Sequence, residues 1–313
     1  MNQFLSEPFF SVMVIMLAVA IDAAAGEYPS MAHPVVWIGY IISALDSYFR
    51  RLGNAAGGII FVLSVEALFL ALVYAVLDLI SFSLILELAV SAYFLKATFS
   101  IRGMRQHIMP IIHALEGNDM ESARKSLSMV VRRSTEGMDS HMISSAAIET
   151  VAEGLVDGVV SPVFYYTFFG VLGAMLYRIA NTFDSNIAYK DSRNFIFGRF
   201  AAMLDTVLNY VPARLSAFMI YIASSLSGIP PASYDIMANA RIPDSSNAGW
   251  PMGAMSNCLA VRLEKPGEYV INDGFVRPGV SDVRKALRLF TISSLISIFI
   301  LSIPVMIFIY TVL

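Results

Sequence analysis

The sequence predicts an all-α, polytopic integral membrane helical bundle with large polar cytoplasmic segments, and three observations predict it. Hydrophobic residues make up 57% of the 313, and charged residues only 14%, against roughly 25% in an ordinary soluble domain. The mean hydropathy is +0.67. The apolar residues also gather in blocks that match the ~20 helical residues needed to cross a bilayer core. A soluble fold of this length would need a charged surface that this composition does not supply.

The elements follow in order. Met1 to Pro8 lacks the basic region of a cleaved leader, so the apolar block 9–25, which carries Asp22 near its end, reads as a retained span. Residues 26–58 are polar to amphipathic. Blocks 59–80, with Glu66 inside, and 82–99, with Glu87 inside, form a tight antiparallel hairpin of spans. The polar segment 100–158 has regularly spaced Ala, Leu, Met and Val, the pattern of helices at the membrane surface. Blocks 159–179 and 215–226 are membrane-associated or short spanning helices; a helix that enters the bundle without a simple crossing is the preferred reading of 159–179. The polar segment 227–286 is rich in Pro, Gly and Asn and is expected to be mostly loop. Residues 287–313 are the last and clearest span. No repeat interrupts this plan, so the chain reads as a single membrane-embedded domain.

Cations orient it. Arg50 and Arg51 lie in the first polar stretch. Arg102, Arg105, Arg124, Lys125, Arg132 and Arg133 lie in the second, and Arg241, Arg262, Lys265 and Arg277 in the third. Placing all three in the cytoplasm puts both termini outside. Lys190, Arg193 and Arg199 strain a simple crossing at 159–179. A net charge of −3 argues against nucleic acid as a partner. The single cysteine, Cys258, excludes an intramolecular disulfide and any cysteine-cluster metal site. His33, His107, His113 and His141 show no ligand spacing.

Several runs have chemical potential. Glu149, Glu153 and Asp157 recur every four residues, so a helix aligns them on one face. Three like charges with no intervening cation suit either a solvated acidic face or a site for Mg²⁺, which favours carboxylates together with substrate phosphates. Asn181 with Asp184, and Asp205 with Asn209, pair acid and amide near apolar segments; helix capping explains such pairs equally well. Arg214 is read either as a functional cation or as an interfacial one with its stem in the apolar layer. Ser246 to Met255 is small-residue-rich and reads as an anion-binding nest or an ordinary loop. Glu66 and Glu87 are intramembrane carboxylates, a class that marks pairing or function.

The order of these runs is more specific than any one of them. His33-Pro34-Val35 comes first, then Glu149-Thr-Val-Ala-Glu153 and Asp157-Gly-Val-Val-Ser-Pro162. Tyr177-Arg-Ile-Ala-Asn181-Thr-Phe-Asp184 follows, then Asp205 to Asn209-Tyr-Val-Pro212-Ala-Arg214. Ser246-Asn247-Ala-Gly249-Trp-Pro251 and Arg262-Leu-Glu264-Lys265-Pro-Gly267-Glu-Tyr269 close the series. Across residues 22–269 this series resembles the adenosylcobinamide-phosphate synthase family of cobalamin biosynthesis. Three places depart from the family's usual pattern: Ser134 stands for an Asp, Gly154 for an Asn, and Ser245-Ser246-Asn247 for Ser-Pro-Asn.

The resemblance implies an integral enzyme of the cell membrane, with its active site on the cytoplasmic face. It would join adenosylcobyric acid to (R)-1-amino-2-propanol phosphate, or a related amino alcohol, at the expense of ATP and with Mg²⁺. Partners are the corrinoid, the amino alcohol or its phosphate, and the bilayer; a homo-oligomer is compatible with the sequence. The implied catalytic carboxylates are Glu149, Glu153, Asp157, Asp184 and Asp205, of which Glu153, Asp157 and Asp184 would hold Mg²⁺. His33, Arg133, Asn181, Asn209, Arg214, Arg241, Asn247 and Lys265 would bind substrate or phosphate. A membrane sensor on the same scaffold is the first rival. A transporter is the second, disfavoured by the large polar segments and the lack of an inverted repeat.

Overall fold

A computed structural model of the chain describes residues 8–187 and 196–312. Lys190 and Arg193, together with Met1 to Glu7 and Leu313, lie outside the described residues. The described chain is predominantly helical, with almost no sheet. It runs α1 (Pro8–Ala25), α2 (Pro34–Arg50), α3 (Asn54–Leu79), α4 (Leu84–Thr98), α5 (Ile101–Glu116), α6 (Met120–Ser128) and α7 (Ser140–Leu155). A π-helical turn (Val156–Val160) leads into α8 (Ser161–Ile187). Then come α9 (Arg199–Leu208), α10 (Tyr210–Leu226), the single turn α11 (Met237–Ala240) and α12 (Gly249–Leu259). A two-stranded hairpin, β1 (Leu263–Lys265) and β2 (Tyr269–Ile271), precedes α13 (Val280–Leu295) and α14 (Ile303–Val312).

Four helical runs are long and apolar enough to cross a membrane: Ala55–Leu79, Leu84–Glu116, Ser140–Ile187 and Val280–Ile309. Phe9–Ala25 is a shorter apolar helix. These fit a multi-pass membrane protein. Residues 159–179, expected to be held without a simple crossing, sit inside the third of these runs.

The chain divides into two compact units. The first comprises Met1–Ser100, Ser161–Leu208 and Leu301–Leu313. Its aromatic centre is Phe61 of α3, stacked on Phe49 at 4.7 Å and edge-on to Phe183 at 5.1 Å, with Phe197 at 6.0 Å. Glycine makes this approach possible. A Cβ on Gly58 would stand 2.0 Å from the Phe197 carbonyl oxygen, and one on Gly57 would stand 2.4 Å from that of Phe49. The Tyr166 hydroxyl donates to the Ser11 carbonyl (2.7 Å), joining α8 to α1.

The second unit comprises Ile101–Val160 and Asn209–Ile300. Its centre is α7, buried from Ile143 to Glu149 and again at Val151, Ala152 and Leu155. The Asp139 carboxylate starts this helix by accepting from the Met142 N–H at 2.8 Å, a standard N-cap. Helices α12 and α13 and strand β1 pack against α7. The hairpin turns at Pro266-Gly267: Pro266 takes the second position, Gly267 has φ of 78°, and Glu268 N–H donates to Lys265 O at 3.0 Å. This is type II turn chemistry.

The segment 227–286 lies for the larger part outside helix and strand, as expected, but it also contains α11, α12 and the hairpin. Its Gly, Pro and Asn residues serve packing as well as turning. Every residue of α12 except Trp250 is buried, and a Cβ on Gly249 would fall 2.4 Å from the Ala240 oxygen. Asn239, Asn257 and Asn272 bond one another. Asn272 Nδ2 donates to Asn257 Oδ1 (2.7 Å), and Asn239 Nδ2 donates to Asn272 Oδ1 (2.9 Å). In the buried interior these amides satisfy each other, where composition alone suggested exposed turns.

Candidate active site

The site in the second unit is built on α7. Glu149 is nearly buried, at 6% exposure, and three donors converge on its two oxygens. Arg133 Nη2 reaches Oε2 at 3.0 Å, the Tyr269 hydroxyl reaches the same oxygen at 3.1 Å, and Ser145 Oγ reaches Oε1 at 3.0 Å. Ser145 lies one turn before Glu149 on the same face. Its hydroxyl also accepts from the Glu264 N–H at 2.8 Å, which pins β1 to the helix. Thus a helix, the segment before it and both hairpin strands meet at one carboxylate.

One turn further on, Glu153 faces the same way. Solvent reaches it although protein crowds it closely, and its nearest opposite charges are Lys265 and Arg133. Burial first, and then the charges of Glu149 and Glu153, push the Tyr269 phenol well up, so it stays a proton donor. Tyr269 and Lys265 also line an open groove of about 510 Å³, with Arg262, Glu264, Glu268 and Arg277 among its walls. The groove's cations are matched. Lys265 Nζ lies 2.7 Å from Glu268, Arg262 Nη2 lies 2.6 Å from Glu264, and Arg277 lies 3.4 Å from Glu264. Such a volume suits a small ligand or part of a large one.

The other expected residues fall as follows. Asp157 belongs to the π-helical turn after α7. Asn209, 2% exposed, precedes α10 without capping it through its side chain. Arg214 stacks over Tyr210 at 3.5 Å and Trp250 at 4.6 Å, so its flat face is used for cation–π contact. Arg241 is exposed at the end of α11. Asn247 is buried. The amides of Asn247 and Ala248 both donate to Ser245 Oγ, at 3.3 and 3.2 Å. The expected nest therefore spends two of its N–H groups on its own serine.

Asp184, Asp205, Asn181 and His33 belong to the first unit. Asn181 Nδ2 donates to Asp205 Oδ1 at 3.1 Å, and Arg178 Nη1 donates to Asn181 Oδ1 at 3.4 Å. His33 Nδ1 accepts from Val35 N–H at 3.3 Å and so caps α2. Its Nε2 therefore carries the proton and donates to Glu27 at 3.1 Å. Among the described residues, no group of three or more His, Cys, Asp or Glu side chains is gathered closely enough to hold a metal ion.

Sequence reasoning missed four participants. Ser145 carries no signal beyond its i, i+4 spacing to Glu149. Tyr269 ends the last of the ordered runs, but nothing local in sequence marks it as a partner of Glu149, 120 residues away. Lys96 and Glu27 form a second polar centre, in the first unit. Lys96 is fully buried, 3.2 Å from Asp22 and 3.9 Å from Glu27, and donates to the Phe99 carbonyl at 3.3 Å. One departure from the usual pattern has a local explanation. Gly154 leaves the room filled by the Met104 methyl, 2.1 Å from where a Cβ would stand. Ser134 Oγ accepts from the Glu136 N–H at 3.3 Å, a bond an Asp would make as well, so nothing here explains that substitution.

The family model described as CobD/Cbib protein matches residues 15–298. The chain belongs to that family. A relative named "Probable cobalamin biosynthesis protein CobD" from Thermoplasma volcanium is 41% identical over 297 residues, covering 95% of this chain and 98% of that protein. A namesake from Thermoplasma acidophilum is 41% identical, covering 90% and 93%. "Cobalamin biosynthesis protein CobD" from Dehalococcoides mccartyi is 38% identical, covering 85% and 88%. No solved structure matches the chain. Membership in the CobD/Cbib family places the protein in cobalamin biosynthesis, with a membrane-spanning helical fold.

Proposed function

We propose that the protein is an ATP-dependent acid–amine ligase. It joins adenosylcobyric acid to (R)-1-amino-2-propanol phosphate, or a related amino alcohol, giving adenosylcobinamide phosphate. The observation that carries this reading is the Arg133–Glu149–Tyr269 cluster with Glu153 beside it, next to a groove in the second unit of a CobD/Cbib family chain. The basic residues of the two larger polar segments support a cytoplasmic position in the cell membrane.

A carboxylate does not react with an amine at neutral pH, because oxide is no leaving group. In the proposed reaction a carboxylate oxygen of the corrinoid attacks the γ-phosphorus of ATP and ADP leaves, giving an acyl phosphate. The amine then attacks the acyl carbon, loses a proton, and inorganic phosphate leaves. Protein catalysis of phosphoryl transfer is mostly positioning and neutralisation of charge. Arg133 and Lys265 supply positive charge near the phosphates. Tyr269 and Ser145 hold Glu149, whose three donors leave it little capacity for a metal. Glu153, reached by solvent, is the group here that can take an ion or the amine's proton. Mg²⁺ fits as an ion carried by the nucleotide phosphates, with Glu153 as protein carboxylate and Asp157 one turn on; bound there it would neutralise charge on the transferred phosphoryl group.

The test uses full-length protein in detergent with adenosylcobyric acid, ATP, Mg²⁺ and aminopropanol phosphate, read by mass spectrometry. ATP-dependent amide is expected from the wild type, and none from Glu153→Gln, which should still insert in the membrane. Absence of amide with every amine tried, from folded protein, overturns the proposal. Wild-type turnover in Glu153→Gln removes that residue from the mechanism.

A further inference from the structure

We propose that Arg133 is an anion-binding residue aimed by a three-donor clamp, and that Glu149 is a positioning residue and not a catalytic one. The inference deepens the ligase reading and rests on it for the identity of the anion, a phosphate group.

The geometry divides the guanidinium in two. Nη2 is spent on Glu149 Oε2 at 3.0 Å. Nη1 is sealed from water and bonded to no described group. An ionised donor left this way is costly, and native structures leave few of them without a reason. The side chain as a whole keeps 19% of its surface open, so a ligand oxygen can meet the Nη1 edge after a small shift.

Glu149 cannot act freely, because its oxygens already take Arg133, Tyr269 and Ser145. Each of those donors is fixed in turn. Ser145 is tied to the Glu264 amide, and Tyr269 stands on β2, directly across from Lys265 on β1. The clamp thus sets the plane of the guanidinium, and a planar fork held at one end is suited to an oxyanion at the other. Arg262 contrasts with it. Both of its terminal nitrogens are paired, to Asp273 and to Glu264, and only its inner Nε lacks a hydrogen-bond partner. Lys265 brings a second positive charge to the same region.

The ligand is therefore a phosphate, either the terminal phosphates of a nucleoside triphosphate or a small phosphate monoester. Binding of pyrophosphate, a non-hydrolysable ATP analogue and aminopropanol phosphate would be measured calorimetrically on the full chain in detergent, without any turnover. R133K is the decisive variant, since a lysine keeps the charge on Glu149 but has no second rigid arm. At least tenfold weaker binding of one of these ligands is expected, with unchanged unfolding temperature. The ligand that loses affinity identifies the source. Y269F, which loosens the clamp without touching the anion, should weaken the same ligand by a smaller factor, about threefold, and leave the others unchanged. Equal affinity of wild type and R133K for all three ligands overturns the subsite and leaves Nη1 as a buried donor with no role in ligand binding. The two proposals fail separately: Arg133-dependent binding without amide formation overturns only the ligase reading, and amide formation with Arg133-independent binding overturns only the subsite.

Discussion

Replacing Lys96 by methionine should destabilise the first unit strongly, and replacing Asp22 as well should restore much of the loss. Lys96 is completely buried and Asp22 is 2% exposed, with their charged atoms 3.2 Å apart. The ammonium also donates to the Phe99 carbonyl and lies 5.3 Å from the centre of the Tyr28 ring. Lys96→Met keeps the volume of the stem but removes the buried ammonium that stands 3.2 Å from the Asp22 carboxylate. Removing one member of a buried pair costs about 3–5 kcal/mol, because the survivor stays desolvated. Glu27, at 3.9 Å, is 37% exposed at its side chain and can turn to water, so its loss of partner adds little. A well-packed apolar or neutral replacement of both members is often neutral. Lys96→Met with Asp22→Asn should therefore cost no more than either single change, which makes the coupling at least as large as one single change, about 3 kcal/mol or more.

The assay is reversible unfolding in mixed micelles, titrated with a denaturing detergent and run on the four proteins of the cycle. Total stabilities are only about 5–15 kcal/mol, so Lys96→Met alone should also lower the amount of folded protein recovered from membranes. A single variant within about 0.5 kcal/mol of wild type, or costs that simply add, would refute the reasoning. Either result would mean that the pair is solvated or that the lysine is held by other groups.

Two further outcomes follow from the same unit. Burial disfavours the charge on Glu27, but the hydrogen bond from His33 and the charge of Lys96 outweigh it, holding the carboxyl down at about 2 against an ordinary 4.5. A lowered folded pKa stabilises above the unfolded value, and the contribution disappears as pH falls through the folded one. The stability difference between wild type and Glu27→Gln should thus be level above about pH 4.5 and shrink towards zero near pH 2; a difference that grows on acidification would contradict the assignment. Gly58→Ala places a methyl 2.0 Å from the Phe197 carbonyl oxygen, where backbone and not a flexible side chain must yield. It should cost about 1–3 kcal/mol, and unchanged unfolding would show that α3 and the Phe197 segment do not approach so closely.

What was legible in the sequence differs between the two polar centres, and for a physical reason. Glu149 and Glu153 declare themselves because their relation is local: four residues on a helix fix a shared face whatever packs against it. The apolar spans declare themselves likewise, since a bilayer selects on length and composition within one segment. Lys96 gave no such sign. Its meaning depends on Asp22, which is distant in sequence and brought near only by the packing of α4 on α1. A lysine in an apolar run reads equally well as a helix-end residue reaching the interface. Residues 249–259 misled in the opposite direction. Gly, Pro and Asn are turn signals where backbone meets water. At Gly249 and Gly253 the missing side chain instead admits the backbone of Ala240 and the side chain of Asn239, and the buried asparagines bond one another. Composition cannot separate these uses, because the same small residue relieves strain in a loop and sterics in a packed helix. The Arg133 clamp falls between the two cases. Its carboxylate and arginine were readable along the chain, whereas the roles of Ser145 and Tyr269 emerge only when β1 and β2 are laid on α7. The parts of the site with the least local signature are therefore those that hold the others in place.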